Sequence, residues 1–297
     1  MAESNPSCRI DTVSQFCDFR ATVDVLRLDL VHPVVSGNKW FKLTPYLDEA
    51  EQRGKVVLTF GGAFSNHIVA TAAATASRGL QSIGIIRGER PDVLSHTLQQ
   101  ATSFGMKIFF TAREAYKKKI IPPEVFETRK TEDLFIVPEG GYGAMGMEGA
   151  KQIMRAADTS SYTHIVSAVG TGTTIAGLIA AANESQKVIG ISVLKNAFSL
   201  EKEITDLLPE GAKNKINLYH DYHFGGYAIK TKELISFMNE FFKRTGIATD
   251  FVYTAKAFYA AFDLVRSGYF SANDKILLVH TGGLQGNRSL QNDLLVF

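Results

Sequence analysis

Val56-Val57-Leu58-Thr59-Phe60-Gly61-Gly62-Ala63-Phe64-Ser65-Asn66-His67-Ile68 is the stretch that decides the architecture. Five apolar or β-branched residues in a row have the length of a strand covered on both faces. Gly61-Gly62 turns the chain, and the Ala-rich run over residues 68–77 suits a helix. Strand, glycine turn and helix make the first half of a βαβ unit, and the same grammar repeats with a strand at 82–86, a helix at 92–104 and a strand at 107–110. Farther on, His164-Ile165-Val166-Ser167-Ala168-Val169 reads as a strand, Gly170-Thr171-Gly172-Thr173-Thr174 as a turn and 175–183 as a helix. Segments 188–193 and 275–280 are further strands. Residues 231–245 and 254–267 carry helical periodicity, each closed by a glycine within a few residues. The class is α/β with mostly parallel strands.

With 297 residues, the chain is long enough for one large domain or for two lobes around a cleft, and two lobes are expected. A hydrophobic fraction of 45% with 21% charged residues excludes a disordered chain. Lys plus Arg (32) barely exceed Asp plus Glu (30), and no basic stripe is interleaved with aromatics, so no nucleic-acid partner is expected. Lys117-Lys118-Lys119 reads as a solvated face. The opening Met1-Ala2-Glu3-Ser4-Asn5-Pro6 lacks a basic segment followed by an apolar run, and no apolar stretch is long enough to span a bilayer. The expectation is therefore a cytoplasmic protein with no membrane partner. Cys8 and Cys17 sit outside any C-x-x-C spacing and read as free thiols. The seven His show no metal-ligand spacing, and His220 and His223 lack a nearby Cys or carboxylate pattern, so no metal is expected.

Open parallel sheets place their ligands beyond the carboxyl ends of strands, so four loops carry the search for chemistry. In Ser36-Gly37-Asn38-Lys39-Trp40-Phe41-Lys42-Leu43, Lys39 precedes an amphipathic helix, where the helix dipole does not favour a cation. It is either a solvated lysine or a functional one. In Gly61-Gly62-Ala63-Phe64-Ser65-Asn66-His67, Ser65 or Asn66 either caps the helix or contacts a ligand whose carboxylate meets the exposed N–H groups. The turn Gly170-Thr171-Gly172-Thr173-Thr174 offers two glycines and three hydroxyls before a helix without an early acid, which suits a phosphate dianion; tight packing against the sheet is the other reading. Ile175 stands where a dinucleotide fingerprint needs its third glycine, and no Gly-Lys-Ser/Thr follows, so a nucleotide-dependent oxidoreductase is disfavoured. In His280-Thr281-Gly282-Gly283-Leu284, His280 reads as a structural histidine and Thr281 offers a hydroxyl.

Together the four loops resemble the pyridoxal-phosphate enzymes that include 1-aminocyclopropane-1-carboxylate deaminase and D-cysteine desulfhydrase, of the tryptophan-synthase-β fold type. The resemblance spans about residues 36–283. It implies two open, mostly parallel twisted sheets flanked by helices, with pyridoxal 5'-phosphate in the cleft between two domains. Residues 1–42 with 150–297 would form the larger, cofactor-binding domain and 43–149 the smaller. Lys39 matches the Schiff-base lysine, with Lys42-Leu43 behind it. Gly61-Gly62-Ala63-Phe64-Ser65-Asn66 matches the family's Gly-Gly-x-x-Ser-Asn, which places Ser65 near the substrate and Asn66 near the cofactor's phenolic oxygen. His67 joins Ser65 and Asn66 on the substrate side. Gly170, Thr171, Gly172, Thr173 and Thr174 match the phosphate cup, and Tyr227 and Tyr253 match two tyrosines that face the substrate. A homodimer is also implied.

Two positions separate activities within the family. Ring-opening deaminases carry Glu after the second tyrosine and Leu before the last Gly-Gly, whereas D-cysteine desulfhydrases carry small hydroxyl residues there. This chain has Thr254 and Thr281. A threonine hydroxyl bonds a neutral pyridine nitrogen, a weaker electron sink that suits a substrate with a good leaving group. The expected reaction is β-elimination from D-cysteine or a related small amino acid, giving pyruvate, ammonia and sulfide. Lys39 would remove the α-proton and Tyr227 or Tyr253 would serve the departing group. The alternatives are ring-opening deamination of 1-aminocyclopropane-1-carboxylate to 2-oxobutanoate and ammonia, and a catalytically silent phosphate-ligand binding protein of the same fold. The resemblance departs in a shorter region before Gly37 and in Trp40-Phe41 between the two lysines.

Overall fold

A computed structural model describes residues 6–16 and 21–297. Residues 1–5 and Cys17, on which two of the expectations above bear, lie outside the described residues. Strands β1 (Ile10–Thr12), β2 (Thr22–Leu26), β3 (Val56–Gly61), β4 (Ser82–Arg87), β5 (Lys107–Thr111), β6 (Leu134–Val137), β7 (His164–Val169), β8 (Lys187–Ser192), β9 (Leu218–Tyr219) and β10 (Lys275–Val279) are present. They form two sheets, one in the order β1-β2-β10-β7-β8-β9 and the other in the order β5-β4-β3-β6. Every pairing is parallel except that of β1 with β2. The expected two-sheet α/β fold is borne out.

A central parallel strand must be apolar on both faces because helices cover both. On β10, Ile276 and Leu278 pack with Phe241, Phe258 and Phe262 on one side, while Leu277 and Val279 pack with Ile175, Leu178 and Ile179 on the other. Each such fully buried side chain contributes about 1.5–3 kcal/mol. Phe16 ties the start of the chain to the first face, its ring 4.7 Å from that of Phe262 and 5.0 Å from that of Phe241.

Helix ends follow their capping residues. Helix Lys232–Thr245 begins where the Thr231 hydroxyl accepts from the Leu234 N–H and ends at Gly246, whose φ of +71° a side chain would resist. The helix expected at 92–104 spans only His96–Ser103, because Ser95 caps it by accepting from the Leu98 N–H. Conversely, the helices expected at 68–77 and 175–183 start two residues earlier, at Asn66 and Thr173. Strands β1, β2, β6 and β9 were not anticipated from the sequence.

Helix Asn38–Gln52 carries Pro45, which has no N–H to offer the Phe41 carbonyl one turn back. Helix Ala144–Lys151 comes so close to that carbonyl that a Cβ on Gly149 would lie 2.1 Å from the Phe41 oxygen. The boundaries read from the sequence, 42/43 and 149/150, fall inside these two packed helices. The two sheets are thus joined through a helix pair. Cys8 is a buried free thiol, its pKa pushed up to about 11 by burial and then by Asp29. Among the described residues no helix is long and apolar enough to cross a membrane.

Candidate active site

The end of β4 and the loops after β3, β6, β7, β8 and β10 meet around one cleft of about 630 Å³. Of the residues singled out in the sequence, the cleft brings together Lys39, Lys42, Ser65, Asn66, His67, Gly170, Thr171, Gly172, Thr174, Tyr227, Tyr253 and Thr281. Thr173 and Thr254 do not line it and are fully buried.

Gly37 sets the approach of the lysine loop. With φ at +67°, a Cβ there would lie 1.9 Å from the Thr281 oxygen, so only glycine lets the two loops touch. Lys39 is the second residue of helix Asn38–Gln52, and its Nζ donates to Asn38 Oδ1 at 3.0 Å. Asn38 in turn donates through Nδ2 to Thr174 Oγ1 at 2.8 Å, which couples the lysine loop to the threonine turn. Desolvation pushes the Lys39 pKa down to about 8, and the Asp250 carboxylate offsets part of that shift. Lys42 follows one helical turn later, is nearly fully buried, and is driven well below the usual lysine range by burial and then by Lys39. Among the described residues no acceptor bonds Lys42 Nζ.

His67 is buried between the lysines and β3. Its Nε2 donates to Thr59 Oγ1 at 2.8 Å, because that hydroxyl spends its own hydrogen on the Val137 carbonyl at 2.7 Å. Nδ1 is therefore a buried acceptor without a partner. Burial, then Lys39 and Lys42, hold the ring neutral by lowering its pKa well below the usual value.

The threonine turn sits at the N-terminus of helix Thr173–Ala181, with no acid in its first turn. Gly172 takes a φ of +79° and its N–H, like those of Thr173 and Thr174, engages no acceptor among the described residues. Unspent N–H groups at a helix N-terminus, with two threonine hydroxyls on the cleft wall, are what an anion such as phosphate requires. Across the cleft, Ser65 occupies the N-cap position of helix Asn66–Ser77 yet makes no side-chain cap bond. Its hydroxyl is left to the cleft. Asn66 Nδ2 reaches the Gly283 carbonyl at 3.5 Å while Oδ1 is buried and unpartnered.

Gly170 leaves room for the Tyr253 ring, which lies 3.2 Å from where its Cβ would stand. Tyr253 and Tyr227 hydroxyls are 3.4 Å apart, with rings crossed at 73°. Burial, then Tyr227, raises the Tyr253 pKa well above the usual range, so the phenol keeps its proton. Tyr227, 50% exposed, rides on a segment with positive φ at Phe224, Gly225, Gly226 and Ala228. Fully buried Lys256 props that segment by donating to the carbonyls of His223 (2.9 Å) and Gly226 (2.7 Å).

Thr254 and Thr281, paired in the sequence reading, part company. The Thr254 hydroxyl donates to Asp250 Oδ1 and accepts from the Asp250 N–H, both at 2.7 Å. Its one hydrogen is spent, and none remains for a ring nitrogen. Asp250 uses both carboxylate oxygens to hold the N–H groups of Val252, Tyr253 and Thr254. Thr281, by contrast, lines the cleft, and its side chain makes no hydrogen bond among the described residues. His280 beneath it is structural: Nε2 donates to the Ala248 carbonyl at 2.7 Å, and Nδ1 accepts from the Gly282 N–H at 3.3 Å.

Arg87, Glu139 and Gln285 also line the cleft, and the sequence reading missed them. Arg87 lies one residue past the expected 82–86 strand. Glu139 follows β6, whose Val137-Pro138-Glu139-Gly140-Gly141 ending repeats the apolar-run-then-Gly-Gly grammar of β3 and could have been found that way.

The wall as built fits pyridoxal phosphate: an anion cup, a recessed amine of lowered pKa that is distant in sequence but bridged to the cup through Asn38, and a free hydroxyl at Thr281. A solved structure described as an ACC deaminase homologue shares 30% of its sequence, covering 96% of this chain and 92% of that one, with a TM-score of 0.82. The bifunctional D-cysteine desulfhydrase/1-aminocyclopropane-1-carboxylate deaminase of Arabidopsis thaliana is 29% identical over 88% of this chain and 72% of its own length. The D-cysteine desulfhydrase of Klebsiella pneumoniae is 28% identical over 87% of this chain and 86% of its own. The family model for pyridoxal-phosphate dependent enzymes matches residues 20–282, and to that family this chain belongs.

Proposed function

We propose that this enzyme eliminates the β-substituent of a small amino acid, with D-cysteine as the type substrate, to give pyruvate, ammonia and sulfide. The observation that carries the reading is Lys39, an amine of pKa about 8 in the same cleft as an unspent anion cup. When bound, pyridoxal phosphate supplies the electron sink that stabilises the carbanion left at Cα. Lys39 would hold its carbonyl carbon; Gly170, Thr171, Gly172, Thr173 and Thr174 its phosphate, with Lys42 adding a donor nearby; Asn66 its phenolic oxygen; and Thr281 its ring nitrogen. Thr254 acts one step back, through Asp250 and the N–H groups it fixes.

Lys39 is partly neutral near pH 8 and would take the α-proton of the substrate. Ser65, Asn66 and the N–H groups at the start of helix Asn66–Ser77 would orient the substrate carboxylate, against neutral His67. Tyr253, held protonated and hydrogen-bonded to Tyr227, can give a proton to the departing thiolate. Ring-opening deamination of 1-aminocyclopropane-1-carboxylate is the second reading, because the Arabidopsis relative is named for both reactions.

Assays for sulfide from D-cysteine and for 2-oxobutanoate from the cyclopropane amino acid divide the two. Oxobutanoate without sulfide would overturn the first reading, and a colourless protein that cofactor cannot reconstitute would overturn both in favour of a silent phosphate-ligand binder. The proposal extends to a division of the chain into 43–149 and 1–42 with 150–297, and to a cytoplasmic homodimer. The dimer rests on the family resemblance, and light scattering of a monomer would remove it.

A further inference from the structure

Beside the reaction cleft lies a second chamber of about 560 Å³ lined by Arg87, Arg113, Tyr116, Lys117, Lys119 and Glu139. Arg87 and Glu139 also line the cleft, so the two spaces adjoin. Four cations face one carboxylate there. Glu139 is taken by Lys119 and Lys117 pairs with Glu114, whereas Arg87 and Arg113 make no ion pair or hydrogen bond among the described residues. Tyr116 is 96% buried, and its phenol faces the Glu139 carboxylate; burial and then that carboxylate raise its pKa. The Lys119 ammonium lies 4.1 Å and the Arg87 guanidinium carbon 5.7 Å from the Tyr116 ring centroid, so the aromatic floor holds both cations toward the chamber. The Arg87 guanidinium is also 3.7 Å from where a Cβ on Gly62 would stand, which puts it at the edge of the Gly61–His67 loop.

We infer that this chamber is an anion subsite, and that the enzyme takes amino acids whose β-substituent ends in a phosphate, sulfate, sulfonate or carboxylate. This rests on the elimination reading above. Two guanidiniums that make no ion pair or hydrogen bond among the described residues, held over an aromatic floor, match the acceptor-rich oxygens of such a group. With O-phosphoserine the Cα–H and Cβ–O bonds break, the phosphate leaves with the electron pair of the Cβ–O bond, and one water completes pyruvate, ammonia and inorganic phosphate. No oxidant is needed.

The test compares O-phospho-D-serine with uncharged β-chloro-D-alanine on the holoenzyme and on Arg87→Gln and Arg113→Gln, with inorganic phosphate titrated by calorimetry. Both arginines are exposed, so neither substitution threatens the core. Expected are a lower KM for the phosphorylated substrate, a roughly tenfold or larger rise of that KM in each variant, and an unchanged KM for β-chloroalanine in Arg113→Gln. Phosphate should bind the holoenzyme and bind more weakly in both variants. Phosphate binding lost in the variants without a preference for phosphoserine would assign the chamber to a free anion and overturn the substrate inference. Absence of phosphate binding to the wild-type holoenzyme, with no preference for phosphoserine, would overturn the subsite itself. If neither amino acid is consumed, the elimination reading fails, and phosphate titration still decides the chamber.

Discussion

The two walls of the cleft are built from different materials. On the side of the larger sheet, the turn after β7, Thr281 after β10, and Tyr253 present backbone N–H groups and neutral hydroxyls over a floor that is buried throughout. The smaller-sheet side presents a buried neutral histidine and, at its rim, exposed Arg87 and half-buried Glu139. A wall of fixed dipoles can hold one ligand permanently at little reorganisation cost, while a rim of movable charges suits a ligand that must enter and leave. The helix pair that joins the sheets carries Lys39 at the junction, where it reaches both walls. The difference teaches that one cavity offers two kinds of recognition, fixed dipoles on one wall and movable charges at the rim of the other.

The largest expected effect comes from removing the group common to both walls. Lys39→Ala should abolish the visible absorption band of the holoenzyme and lower turnover by about 10³-fold or more; a band that survives borohydride treatment and this substitution would break the assignment. Next is Gly37→Ala, which drives a Cβ into the Thr281 oxygen and must push the lysine loop off the larger-sheet wall. A displacement near 1 Å predicts a loss of turnover of about 10²-fold, read against the intensity of the cofactor band, which should fall less.

A sharper comparison sets the two threonines against each other. Thr281→Val should shift the cofactor band and lower kcat about tenfold, because the hydroxyl faces the cleft. Thr254→Val should leave the band where it is and cost about 1–3 kcal/mol in denaturant unfolding, since it takes one of two donors from Asp250 Oδ1 and strands the buried Asp250 N–H. Equal spectral effects from both would show that the walls are not divided as described. The smallest effect is pH dependence. Lys39 works as a base only when neutral, so kcat should rise as pH climbs through about 8 and then level off. His67 is held neutral well below its usual range and should add no inflection between pH 6 and 7; a profile falling as pH rises toward 8 would contradict Lys39 as the base.

Much of this was legible in residue order. The strand and turn grammar of 56–62 and 164–174 recurs wherever a covered parallel strand must end at a ligand, so residue order alone locates both halves of the cleft. Strands β1 and β9 were not legible, because three or two residues carry no periodicity. Strand β2 alternates with Asp24, and β6 is a four-residue run that local pattern does not separate from a buried loop.

What the sequence alone determined was the set of residue types at strand ends, since local turn chemistry and apolar runs are short-range properties of the chain. Long-range packing made the rest of the decisions. It turned the Thr254 hydroxyl inward to Asp250 while leaving Thr281 in the cleft, and it left Ser65 uncapping and free. Two members of a lysine run that reads as a solvated face, Lys117 and Lys119, became the lining of a charged chamber beside Arg87. Whether a polar side chain is spent or available depends on the partners that distant segments bring to it, and hydrogen-bond valence is settled only when the fold closes.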